Sequence, residues 1–237
     1  RMLCSKVSVK VCGLRRPEDV RVCMDQGVEI LGFVTEYPKP VPWNLTREES
    51  KQLIGMVSSS YKTCIVTGGK PHDIISLASE LRPSMVQLHY HETLEDTTIV
   101  AEKLQEIGIE TVKTLPISTE EQMLQFGTTD IGQIVEGLCQ TKVSALLVDA
   151  REAANASETG MKVDNQMFLR IKALSSKKLI LAGGVNPANI SDVLRETGVE
   201  YIDMMTGVEK SPGIKDAEKI ALVMRAVHTG QYSAKGN

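Results

Sequence analysis

Apolar residues along this chain fall into short runs of four to six, each followed by a stretch with helical spacing. The runs lie at 7–11, 30–34, 61–66, 85–88, 111–115, 145–148, 179–182 and 201–205. Such lengths suit strands buried on both faces, whereas the intervening segments carry apolar residues three and four apart. Those segments predict helices from Pro17 to Gly27 and over 46–58, 71–81, 97–106, 119–126, 131–139, 166–174 and 186–197, with a last one from Asp216 to about Thr229. Local signals support the boundaries. Pro17 is followed by Glu18 and Asp19, acids placed where the helix dipole favours them. Thr46 and Glu49 have the spacing of a capping box. Gly198 stands where a helix would close on a left-handed residue. Strands alternating with helices imply parallel strands joined by right-handed crossovers. Eight such units in 237 residues predict a single (β/α)8 barrel over 1–237. An open dinucleotide-binding sheet would carry G-x-G-x-x-G after its first strand, and Cys12-Gly13-Leu14-Arg15 is not that motif.

In such a barrel, chemistry sits at the C-terminal ends of the strands. Those ends are Cys12, Thr35-Glu36, Thr67, His89, Lys113, Asp149, Gly183-Gly184 and Thr206-Gly207. The last two pairs end the last two strands on glycine. Backbone N–H groups bared there can hold an anion, so Gly183, Gly184, Thr206 and Gly207 form a candidate phosphate site. Cys12 and Asp149 are two proton carriers expected at the same mouth. Cys12 precedes a glycine and a helix start, a setting expected to lower its thiol pKa. Together they suit removal of one proton and donation of another on a phosphorylated small molecule.

Composition narrows the partners. Net charge is −3, and Lys and Arg are scattered among acids, which argues against nucleic acid. No apolar run approaches the ~20 residues of a membrane span, and the first residues lack a secretory apolar core. Five cysteines without a C-x-x-C pair point to a reducing, cytoplasmic setting rather than disulfides or zinc. His72, His89, His91 and His228 are too dispersed for a convincing metal set. Oligomeric state has no signature in the linear sequence.

Several motifs carry a family resemblance: KVCGLRRPEDV (10–20), LGFVTEYPKP (31–40), VQLHYHE (86–92), LLVDA (146–150), LILAGGVNPANI (179–190) and DMMTGVEKSPGIKDAEKI (203–220). The chain resembles phosphoribosylanthranilate isomerase, a ribulose-phosphate-binding type of barrel in tryptophan biosynthesis. The resemblance implies Cys12 as general base, Asp149 as general acid, and backbone at Gly183, Gly184, Thr206 and Gly207 as the phosphate clamp. The implied reaction is an Amadori rearrangement without metal or organic cofactor. Asp149 protonates the ribose ring oxygen, the ring opens to an imine, and Cys12 removes the C2′ proton.

The same comparison exposes departures. Trp43 stands where the family carries an arginine that pairs with the anthranilate carboxylate, so Trp43 and His89 are expected to line the aglycone pocket. Lys39 or Arg15 would then supply the missing cation. Tyr90 fills a glycine position. The loop after strand six reads 155–162 NASETGMK, in which Thr159 and Gly160 match and Glu158 adds a negative charge. A barrel isomerase acting on another phosphorylated sugar amine, and a non-catalytic phosphometabolite-binding protein, are the competing readings. Retention of both Cys12 and Asp149 speaks against the second.

Overall fold

The structure is a computed structural model and describes residues 6–150 and 163–233. Eight parallel strands close into a barrel in chain order: β1 (Ser8–Val11), β2 (Ile30–Val34), β3 (Lys62–Thr67), β4 (Met85–Leu88), β5 (Glu110–Thr114), β6 (Ala145–Asp149), β7 (Lys178–Ala182) and β8 (Tyr201–Met204). β8 closes on β1 in a register that sets Lys10 opposite Asp203 and Val11 opposite Met204. The helices α1 (Pro17–Asp25), α2 (Arg47–Gly55), α3 (Pro71–Leu81), α4 (Leu94–Glu106), α5 (Thr119–Phe126), α6 (Ile131–Cys139), α7 (Asn165–Leu174), α8 (Ile190–Thr197) and α9 (Ala217–Ser233) alternate with the strands.

Period-two alternation sorts each strand into two cores. Val9, Val11, Leu31, Phe33, Leu146, Val148, Leu181 and Ile202 face outward and pack beneath the helices. Ile30, Val34, Cys64, Val66, Met85, Val112, Leu147 and Ile180 fill the barrel interior together with Cys12. The strands are therefore apolar on both faces, which is why they read as continuous runs.

The capping box forms as the sequence predicts. Thr46 Oγ1 accepts from the Glu49 N–H, and Glu49 Oε1 accepts from the Thr46 N–H at 2.9 Å. Pro17 and Pro71 open α1 and α3. Asp216 accepts from the N–H groups of Glu218 and Lys219 at the start of α9. Two helix starts are displaced from the pattern. α4 begins at Leu94, because Thr93 caps it through the Asp96 N–H. α8 begins only at Ile190. Asn186 and Asn189 turn their side-chain amides back onto the Gly184 carbonyl, which holds 186–189 as a turn and delays the helix. A short hairpin, β9 (Glu209–Ser211) with β10 (Ile214–Lys215), follows β8 and has no counterpart in the sequence reading. Among the described residues, no helix is long and apolar enough to cross a membrane.

Candidate active site

Cys12, Asp149, Gly183, Gly184, Thr206, Gly207, Trp43 and His89 all line one cavity of about 360 Å³ at the C-terminal end of the barrel. That volume is on the scale of a small-molecule site, roughly 300–1,000 Å³. A larger hollow of about 730 Å³, between the segments after β2, β3 and β4, contains none of the eight. The smaller cavity is the one in which proton carriers and backbone glycines converge. Residues 151–162, and with them the NASETGMK loop with Glu158, Thr159 and Gly160, lie outside the described residues.

Cys12 sits on the cavity floor with 5% of its surface exposed. The expectation of a lowered thiol pKa is not met: the pKa is raised. Burial is the main cause, Lys10 opposes it, and Asp203 adds to it. The geometric reason is that α1 starts at Pro17, five residues beyond Cys12, so its first turn is not what the thiol faces. Asp149 ends β6 and enters the cavity from the far wall.

The phosphate loops converge from β7 and β8. Gly183 and Gly184 hold φ of 87° and 81°, the left-handed region that glycine occupies without strain. Gly207 is fixed by contact rather than dihedral, since a Cβ there would stand 1.9 Å from the Val185 carbonyl oxygen. Gly207→Ala must therefore pry the two loops apart. We expect it to abolish the rise in melting temperature that inorganic phosphate gives the wild type, because ligand that binds only the native state adds RT ln(1+[L]/Kd). An unchanged shift, read by differential scanning fluorimetry, would place the anion elsewhere.

The aglycone side is shaped differently from the expectation. Trp43 does line the cavity, yet its indole N–H is committed to Glu209 Oε2 at 3.0 Å. Glu209 also accepts from the Gly213 N–H and from Lys215 Nζ at 3.1 Å. Trp43 thus ties the loop after β2 to the hairpin after β8 and presents an apolar ring to the cavity. A Cβ on Gly13 would meet that ring at 2.7 Å and Met205 at 2.9 Å. Arg15 donates to the Pro42 carbonyl, and Arg47 pairs with Glu36 and Glu80. Among the described residues, Lys39 is the lysine or arginine that lines the cavity, at its exposed rim. Lys113, a strand-end residue, turns away from the barrel axis and pairs with buried Glu92.

One network escaped the sequence reading. Lys10 Nζ donates to Asp203 Oδ2 at 2.7 Å and to Gln87 Oε1 at 3.0 Å, all three buried. An ammonium only donates, so it fixes the Gln87 carbonyl toward Lys10 and the amide nitrogen toward His89. Gln87 Nε2 then donates to His89 Nδ1 at 3.2 Å, and Thr114 Oγ1 stands 2.8 Å from the same nitrogen. The neutral ring accordingly carries its proton on Nε2. Asp203 Oδ1 is buried and has no hydrogen-bond partner among the described residues, and Asp203 lines the cavity. A signal for this network was present: Lys10 is two residues from Cys12, and Asp203 two from Tyr201, so each pair shares the barrel's inner face.

Comparison with known proteins decides the family. The model of the family described as N-(5′phosphoribosyl)anthranilate (PRA) isomerase matches residues 9–226. The chain belongs to the phosphoribosylanthranilate isomerase family. The N-(5′-phosphoribosyl)anthranilate isomerase of Methanopyrus kandleri is 31% identical over 223 residues, 93% of this chain and 98% of that protein. That of Gloeothece citriformis is 29% identical over 229 residues, 96% of each. The crystal structure of TrpF from Jonesia denitrificans superposes with a TM-score of 0.75 at 25% identity, covering 94% of this chain and 98% of that one. Phosphoribosylanthranilate isomerase from Thermotoga maritima superposes at 0.76 and 24% identity, covering 94% and 99%, and shares the fold.

Proposed function

We propose that the protein is an intramolecular isomerase of tryptophan biosynthesis, acting on N-(5′-phosphoribosyl)anthranilate. One observation carries the reading: in a chain of this family, Cys12, Asp149 and both glycine loops face a single cavity. One solved structure of the family, 24% identical, holds reduced 1-(O-carboxyphenylamino)-1-deoxyribulose 5-phosphate.

The roles are those the family resemblance implies, and the convergence of these residues on one cavity supports them. The substrate phosphate lies against Gly183, Gly184, Thr206 and Gly207. Asp149, in its acid form, gives a proton to the furanose ring oxygen, and the C1′–O bond breaks to leave an iminium. Cys12, as thiolate, takes the C2′ proton. The enol that results tautomerises to the 1-deoxyribulose, so no atom is gained or lost. Asp203 Oδ1, a buried carboxylate oxygen without a partner among the described residues, accepts from a sugar hydroxyl and thereby regains a hydrogen bond whose lack costs about 1–3 kcal/mol. The aglycone packs against Trp43 at the rim, with His89 opposite.

Lys39 takes the place of the family arginine at the anthranilate carboxylate. It is the cavity-lining cation among the described residues, whereas Arg15 and Arg47 are held elsewhere. We expect Lys39→Ala to raise KM for phosphoribosylanthranilate by roughly five- to tenfold, the value of a charged contact at a half-open site. The same variant should leave KM unchanged for the aniline analogue, which lacks the carboxylate. Equal losses on both compounds would mean that Lys39 does not read the carboxylate. A wild type that prefers the aniline compound would favour a different sugar amine as substrate.

A further inference from the structure

A lysine ammonium inside a barrel core is costly to place. Lys10 is fully buried, as is most of Asp203, and the pair lies at the centre of the inner face. Buried ion pairs of this kind are often no more stabilising than apolar residues of the same volume, because desolvation consumes the Coulombic gain. Packing alone therefore does not account for the pair, and its position suggests what does.

Gly32 on β2 shows how close the lysine is to the thiol. A methyl group built there would stand 3.1 Å from Cys12 Sγ and 3.2 Å from Lys10 Cε. The thiol and the end of the lysine chain thus flank one methyl-sized space, which only glycine leaves open. Asp203 and Gln87 fix the ammonium from the other side, at 2.7 and 3.0 Å. Neighbouring groups do not replace it. Cys64 on β3 is another buried thiol, and Asp149 on β6 and Asp203 on β8 are acids. Lys215 on β10 is already shared between Glu209 and the Met205 carbonyl.

We propose that Lys10 is a positioning residue for the reaction: its ammonium, fixed beneath Cys12 by Asp203 and Gln87, is the counter-charge against which the Cys12 thiolate forms. This rests on Cys12 being the base. The charge balance is consistent with it. Burial favours neutral lysine, but Asp203, with the Cys12 and Cys64 thiols beside it, outweighs burial and holds the Lys10 pKa above its ordinary value. Lys10 in turn is the largest influence opposing the upward push of burial on Cys12. The orientation of Gln87, and through it the His89 tautomer, depends on the same ammonium.

The test measures thiolate directly, apart from turnover. Ultraviolet thiolate absorbance is followed against pH, and the curve of Cys12→Ser is subtracted to isolate Cys12. Both charges are removed together in Lys10→Met/Asp203→Asn, so that no buried ion is left unpaired. Lys10 lowers the Cys12 midpoint more than Asp203 raises it, so the midpoint should still move up when both are removed, and the rising limb of kcat/KM against pH should move with it. A folded double variant whose midpoint is unmoved overturns the proposal and leaves Lys10 as core packing. Should the double variant fail to fold, the wild type decides through NMR of ¹³C-labelled lysine. Lys10 must remain protonated through the Cys12 midpoint, and loss of its proton below that point overturns the proposal equally. Full activity in Cys12→Ser would instead remove the base assignment, while the thiol titration would still report on Lys10.

Discussion

Cys12→Ser lowers kcat/KM on phosphoribosylanthranilate by about 10²–10⁴-fold, the usual worth of a positioned general base. The substitution changes one atom on the cavity floor and keeps the Cys12 N–H bond to the Met204 carbonyl, so the barrel is expected to stay intact. What is lost is the capacity to hold a negative charge. A thiol is the more acidic group by several pH units, and the Lys10 ammonium beside it favours its anion. A serine hydroxyl in the same place remains neutral and accepts a carbon-bound proton poorly. Because the change acts on the proton-transfer step, the fall should appear in kcat with KM nearly constant. Circular dichroism and the phosphate-induced melting shift should match the wild type. Near-normal turnover in a folded Cys12→Ser protein would take Cys12 out of the mechanism.

Asp149→Asn gives the second large loss, again about 10²–10⁴-fold. The amide matches the carboxyl in shape and can donate a hydrogen bond, but it cannot deliver a proton to the ring oxygen. Ring opening then has to expel an alkoxide, the poor leaving group that a general acid exists to avoid. Asp149 ends β6 at the cavity wall, opposite the floor on which Cys12 lies, so the two losses concern different steps. They can be separated with an already opened substrate. An acyclic analogue that already carries the C1′ imine bypasses ring opening and keeps the C2′ proton acidic, so it should recover C2′ proton exchange with solvent in Asp149→Asn but not in Cys12→Ser. Exchange lost equally in both variants would show that Asp149 does more than open the ring.

Much of this was legible in the chain. Parallel strands buried on both faces declare themselves as short apolar runs, and glycine pairs mark the ends of β7 and β8. The strand-end rule placed Cys12, His89 and Asp149 at one mouth without any coordinates, because in a closed barrel every C-terminal strand end reaches the same side. What stayed hidden depends on contacts between residues far apart in sequence. The start of α8 shifts because Asn186 and Asn189 bind back to Gly184, a choice between turn and helix that helical spacing does not encode. The thiol pKa was misjudged from the nearby helix start, when burial and Lys10 are what act on it. Trp43 lines the cavity, but its N–H goes to Glu209, which lies in a hairpin the pattern did not reveal. Lys10 and Asp203 are 193 positions apart, and only closure of β8 on β1 brings them together.

The most direct test of the account is the decay of phosphoribosylanthranilate fluorescence on adding purified protein, with the product, which has the substrate's mass, identified as a ketone by its reduction with borohydride. The account predicts steady turnover to the 1-deoxyribulose phosphate in the wild type, lost in both Cys12→Ser and Asp149→Asn. Stable fluorescence with a folded, phosphate-binding wild-type protein would contradict it.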